Sequence, residues 1–174
     1  MSDTPTDYRA TLNLPDQGAK LVAEVTAGFD EARAEAATVT TPKKVLFILS
    51  LQGGRVMAGG AGTEAESIIA LAGGVNAATG FDGYKPMTDE ALIAIDPDVI
   101  VVMTEGLESA GGVDGLLEGV PSVALTTAGK NRRIIDVDDT ALFAGGTRIP
   151  DVLDGLARAL YAPDSLPGKQ SSAE

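Results

Sequence analysis

The chain has 174 residues, 44% of them hydrophobic and 22% charged, with a formal net charge of −12. That is a globular composition with an acidic balance. It contains no cysteine and no histidine, which excludes disulfides, thiolate or imidazole metal sites, cysteine nucleophiles and Ser-His-Asp triads. Aromatic residues make up 4%, with no tryptophan, so base-stacking platforms are not expected and the acidity repels nucleic-acid backbones.

Residues 1–15 are polar and contain Pro5 and Pro15. They hold no basic stretch followed by an apolar run, so no signal peptide is expected in the chain as given, and a cytoplasmic product follows if it is expressed as such. No stretch reaches the length of an apolar membrane span. Pro15 and Asp16 open a helix that continues to about Ala37, with Ala19, Val22, Ala23, Val25 and Phe29 at helical spacing. Such a helix is about 33 Å long, the size of a spine rather than of a core element.

After the breaker TVTTPKK comes VLFILSL (45–51), an uninterrupted apolar run that reads as a strand buried on both faces. GGRVMAGGAG reads as a glycine-rich loop. Thr63 then caps a helix, with Glu66 as its capping-box partner, Ile68, Ile69, Leu71 and Ala72 on the apolar side and Gly73-Gly74 as its end. GFDGYKPM reads as a loop, and Thr88 or Asp89 caps the short helix EALIAI. PDVIVVM (97–103) is a second buried strand, 113–119 a short helix, SVALTT a short strand and IIDVDD (134–139) a further strand. Residues 147–161 form a closing helix with Ile149, Val152, Leu153, Leu156 and Leu160 on one face. The tail from 162 to 174 is polar and expected to be disordered. Strands separated by helices predict a three-layer α/β domain with a mainly parallel sheet, preceded by a long helix. Ligands of such sheets sit beyond the carboxyl ends of the strands, here the loops after Leu51, Met103 and Asp139.

Those loops hold the candidate chemistry. Gly60-x-Gly62-x-x-Ala65 matches a loose dinucleotide fingerprint, with Asp82 where a ribose-binding acid would stand, but about eight residues separate it from the strand end. The alternative is a loop whose glycines serve tight turns. A P-loop motif is absent. Arg55 can hold a carboxylate bidentately or stand as a solvated charge. Met57 offers apolar area and a thioether, and packing is its ordinary role. Tyr84, beside Lys85, can pack on a ligand, donate a hydrogen bond or ligate ferric iron as phenolate; its ordinary reading is a loop tyrosine covering a helix end. Asp136, Asp138 and Asp139 lack an EF-hand continuation and read as a strand end with a helix cap. Arg132, Arg133 and Arg148 supply local positive charge. No nucleophile–base pair is evident, so an enzyme is not expected.

The order of motifs, VLFILS, GGRVMAGGAGTEAESIIALAGGVNAATGFDGYKPMTDEAL, PDVIVVM, EGLESAGGVDGLL and TTAGKNRRIIDVDD, resembles the haem (hemin) ABC-transporter substrate-binding proteins from about Lys44 to Tyr161. Those proteins have two α/β lobes joined by one rigid helix, with the ligand between the lobes. The resemblance implies that 1–43 are lead-in and interdomain helix (16–37) and that 44–161 are the C-terminal lobe. A separately encoded N-terminal lobe is then a conceivable partner. It implies a periplasmic location, haem as the transported ligand with no covalent cofactor, and an inner-membrane ABC permease as partner, docked through surface acids such as Glu64, Glu66 or Glu90. Iron-chelates or cobalamin are the alternative ligands; a nucleotide-dependent enzyme using Gly60–Ala65 is the alternative of another class. The implied ligand wall comprises Gln52, Gly53, Gly54, Arg55, Met57, Tyr84 and Arg148, with Arg55 meeting haem propionates. There are departures. Family members take an iron-ligating tyrosine from the other lobe and some add a histidine that this chain lacks. The family's GFGPRTP-like segment stands here as AGGTRIP, with Arg148 and Pro150 kept and Thr147 at the first proline position.

Overall fold

The computed structural model describes residues 15–138 and 149–161. Helix α1 (Pro15–Ala36) is followed by the hairpin β1 (Lys44–Gln52) and β2 (Arg55–Gly59), then α2 (Glu64–Leu71), β3 (Val75–Asn76) and β4 (Tyr84–Met87). The second half runs α3 (Asp89–Ile95), β5 (Val99–Met103), α4 (Thr104–Ser109), α5 (Gly112–Gly119), α6 (Pro121–Leu125), α7 (Thr127–Lys130), β6 (Ile134–Val137) and α8 (Ile149–Tyr161). The lead-in, Asp139, Arg148 and the tail from 162 lie outside the described residues.

The strands form one sheet in the order β4-β2-β1-β5-β6, with β3 beside the start of β1. β1 pairs in parallel with β3 and β5, and β5 in parallel with β6. β2 is antiparallel to both β1 and β4, so it alone runs against the rest. The mainly parallel α/β sheet expected from the sequence is present.

Two apolar layers flank the sheet. Val45, Phe47, Val99, Val101 and Met103 face α2 and α8, whose Ile68, Ile69, Leu153, Leu156 and Leu160 fill that side. Leu46, Ile48, Ile100 and Val102 face the other side, where Leu92, Leu107, Leu116 and Val123 close over them. Both faces of β1 and β5 are thus inside the protein, which is why these strands show no polar alternation.

Three local readings change. GGRVMAGGAG is not a loop throughout: Gly53 and Gly54, at φ 58° and 78°, turn the chain back into β2. A two-residue hairpin of this kind needs positive φ at both positions, and glycine supplies it. GFDGYKPM likewise ends in a strand, β4. SVALTT is helical, not extended: Pro121 opens α6, and the Thr126 side chain accepts the Gly129 amide (3.1 Å) to cap α7. The place beside β5 belongs to β6, and the crossover between two parallel strands is filled by helices.

Among the described side chains of helix α1, Phe29 and Ala32 touch the first core. Ala23, Glu24, Thr26 and Ala27 are exposed. Pro150 of α8 sits against Gly28, where a side chain would collide with it. Among the described residues no helix is long and apolar enough to cross a membrane.

Candidate functional site

The site is organised by the ladder that β2 makes with its neighbours. Side chains alternate along a strand, so Arg55, Met57 and Gly59 point to one face and Val56 and Ala58 to the other. Val56 and Ala58 are buried, at 3% and 0% exposure. Arg55 is exposed and Met57 half-buried. Residues directly opposite in an antiparallel pair share a face. Tyr84 stands opposite Gly59 and Pro86 opposite Met57, while Ser50 stands opposite Met57 and Gln52 opposite Arg55. Arg55, Met57, Tyr84, Pro86 and Ser50 therefore line one face, and that face is partly open.

A bulge in β1 sets this up. Between Ile48 and Ser50 the register shifts by one residue. Leu49 packs with the first core while Leu51, not Ser50, joins the second. The bulge turns the end of β1 so that its polar residue falls beside Met57.

Tyr84 lies at the lower end of this face. A methyl group on Gly59 would lie 2.9 Å from the Ala65 Cβ and 3.1 Å from the Tyr84 Cε1; the glycine lets the ring lie on the strand. The Tyr84 hydroxyl is 3.5 Å from a Glu64 carboxylate oxygen at the start of α2. Burial, and next the Glu64 charge, push the phenol above its ordinary value, against the opposing pull of the Ala65 amide and the Thr63 hydroxyl. The phenol is therefore neutral at physiological pH. The reading of Tyr84 as cover for a helix end agrees with this geometry, and the same ring forms part of the open face. Arg55 is about 13 Å from Gly59 along β2, at the rim beside the Gly53-Gly54 turn.

The sequence-predicted residues divide as follows. Arg55, Met57 and Tyr84 share the open face, and Gln52, Gly53 and Gly54 build the hairpin end. Arg148 lies outside the described residues. Arg132 and Arg133 are not free charges: Arg132 pairs with Asp114 at 2.6 Å, and Arg133 donates to the carbonyls of Ala159 (3.0 Å) and Leu160 (2.8 Å) at the end of α8. Asp136 accepts the Thr104 hydroxyl at 3.1 Å. Lys85 turns to the other face, its ammonium 5.8 Å from the Phe81 ring centre.

The Gly60–Ala65 loop does not offer the dinucleotide arrangement. It follows an antiparallel strand, and its Gly60, Ala61 and Gly62 amides are already used. Gly60 donates to the Gly83 carbonyl (2.8 Å) and Gly62 to the Glu66 carboxylate (2.8 Å). Thr63 caps α2 by accepting the Glu66 amide (3.2 Å). Glu66 therefore closes the helix start one residue before the cap, where a pyrophosphate would have to sit.

Ser50 and Pro86 share this face and Glu64 adjoins it, and none of the three was named from the sequence as part of the ligand wall. Glu64 entered the sequence reading as a surface acid for permease docking; in the structure its carboxylate meets the Tyr84 hydroxyl. Ser50 depends on the bulge and Pro86 on the pairing of β4. Elsewhere, a groove of about 740 Å³ between α1, α2 and α8, lined by Gly28, Glu31, Glu35, Asp151 and Tyr161 among others, lies at the base of the domain. There Tyr161 donates to the Gly73 carbonyl and accepts the Lys43 amide (3.3 Å). It is remote from the hairpin.

A mixed, mostly parallel sheet flanked by helices, entered from a long helix, is the form of one lobe of a periplasmic binding protein. Residues 10–141 match the periplasmic binding protein family, and the chain belongs to that family. Among solved structures, the periplasmic heme-binding protein RhuT from Roseiflexus sp. RS-1 is 41% identical, with a TM-score of 0.80 over 88% of this chain and 59% of its own. The periplasmic heme-binding protein BhuT, in complex with two hemes, is 36% identical with a TM-score of 0.78 over 87% and 58%. The ABC transporter substrate-binding lipoprotein YvrC of Bacillus subtilis is 32% identical over 91 residues, 52% of this chain and 27% of YvrC. The chain spans under two thirds of the length of each of these relatives.

Proposed function

We propose that the chain is a ligand-binding lobe of an ABC-importer substrate-binding protein, that its ligand is haem, and that its role is transport rather than catalysis. The observation that carries this reading is the shared face of Arg55, Met57 and Tyr84, supported by 36–41% identity to the two heme-binding relatives. The face suits a flat ligand. Met57, Pro86 and the Tyr84 ring offer apolar and aromatic contact, and Arg55 stands at the rim where a carboxylate in water would be met. The long helix then links this lobe to the opposite wall of the cleft. A periplasmic setting and an inner-membrane permease follow from the same reading.

A hemin titration of the purified chain, read as a Soret difference spectrum against free hemin, tests it. The expected result is a saturable, stoichiometric change, with cobalamin competing poorly and NAD giving no thermal stabilisation. An unsaturable hemin response contradicts the haem reading. Preferential stabilisation by cobalamin or a ferric chelate moves the ligand to that class, and stabilisation by NAD reopens the nucleotide alternative.

A further inference from the structure

Tyr84 is the first residue of β4, a four-residue strand at the edge of the sheet. The ring is seated by Gly59 below it and the start of α2 beside it; its hydroxyl donates to the Glu64 carboxylate at 3.5 Å, with the Ala65 amide and the Thr63 hydroxyl also acting on it.

The two glutamates that open α2 have divided roles. Glu66 turns back along its own chain to the Gly62 amide. Glu64 reaches across to another element, 20 residues away in sequence, to meet the Tyr84 hydroxyl. As the first residue of α2 after the Thr63 cap, Glu64 stands where the helix dipole favours a carboxylate. Its backbone is held by the helix, so the acceptor is presented from α2 to a residue on β4.

We infer that Glu64 is a positioning residue for Tyr84: its carboxylate accepts the phenol hydrogen bond and sets the angle at which the ring stands in the ligand wall. The inference rests on the proposed reading of that face as a ligand wall, but the positioning itself is observable without ligand. Glutamine at 64 keeps an oxygen acceptor at the same reach and alanine does not, so the two substitutions separate a hydrogen bond from a general effect on α2. The Thr63 cap and the Glu66 closure remain in both.

The chain has three tyrosines, so 13C-tyrosine spectra are simple and Tyr84→Phe assigns the signal. In the ligand-free protein, Glu64→Ala moves the Tyr84 Cζ signal and Glu64→Gln leaves it near its original place. In hemin titrations Glu64→Ala weakens binding by about threefold to tenfold, the range of one hydrogen bond, Glu64→Gln restores it, and Glu64→Ala has no further effect in a Tyr84→Phe background. An unmoved Tyr84 signal in Glu64→Ala overturns the inference, as does an equal loss of affinity with Tyr84 already removed. Should the unmodified chain fail to bind hemin while the Tyr84 signal still moves, the haem reading falls and the positioning role stands.

Discussion

The two faces of the β2–β4 ladder are built from alternate residues of the same strands, yet they have different fates. On one face Val56 and Ala58 are sealed against Leu46, Ile48 and Leu92. On the other, Met57 is half-buried and Pro86 and Arg55 are exposed. On this second face α2 meets Gly59 and Tyr84, through Ala65 and Glu64. Further along, Met57, Pro86 and Arg55 are side chains suited to partial burial. A wall finished on one side and open on the other is what a lobe needs if its ligand supplies the missing cover.

The comparison is sharpest where charge is placed on each face. Val56→Asp buries an unpaired carboxylate and should cost more than about 3 kcal/mol. Met57→Asp, one residue away, should cost under about 1 kcal/mol in the same urea titration. Equal losses would mean that both faces are closed. Gly59→Ala comes next, at about 1–3 kcal/mol, because the new methyl meets Ala65 and the Tyr84 ring; thermal melts measure the cost and the Tyr84 signals should shift with it.

Arg55→Ala should leave stability within about 0.5 kcal/mol, as for a surface residue, while weakening hemin binding by about two- to fivefold, the worth of an exposed ion pair. Affinity that is unchanged would remove Arg55 from the site. The smallest effect concerns pH. The Tyr84 phenol is raised in the folded state, so the folded protein holds that proton more tightly than the unfolded chain. The stability this contributes is complete below about pH 10, the unfolded value, and is lost as pH rises through the folded value. Tyr84→Phe should therefore flatten the alkaline limb of a stability–pH profile and leave the neutral region unchanged.

The buried strands were legible because β1 and β5 are apolar on both sides, a pattern only a doubly covered strand tolerates. The Thr63 cap and the Leu153, Leu156 and Leu160 stripe were legible for equally local reasons. β2 was not recognised because RVMAG is short, half polar and enclosed by glycines, although Gly53-Gly54 between two extended runs is itself a hairpin signal. The helical form of SVALTT was masked by its β-branched residues, and the sheet position it would have taken belongs to β6. Within the site, Arg55, Met57 and Tyr84 could be named individually, but their common face could not. It depends on the register of β2 with β4 and on the bulge at Leu49, which are long-range pairings. The Glu64–Tyr84 contact has the same origin.

The methionines offer the most direct test of the open wall. Met57 belongs to the open face, whereas Met87 packs with the second core and Met103 is buried in the first. With 13C-methyl-methionine and gallium(III) protoporphyrin, a diamagnetic stand-in for hemin, the ring current reports which methyl lies against the macrocycle. The expected result is a saturable shift of the Met57 methyl with Met87 and Met103 nearly unmoved. A shift confined to Met87, or saturable binding that leaves Met57 in place, would contradict the assignment of this face as the ligand wall.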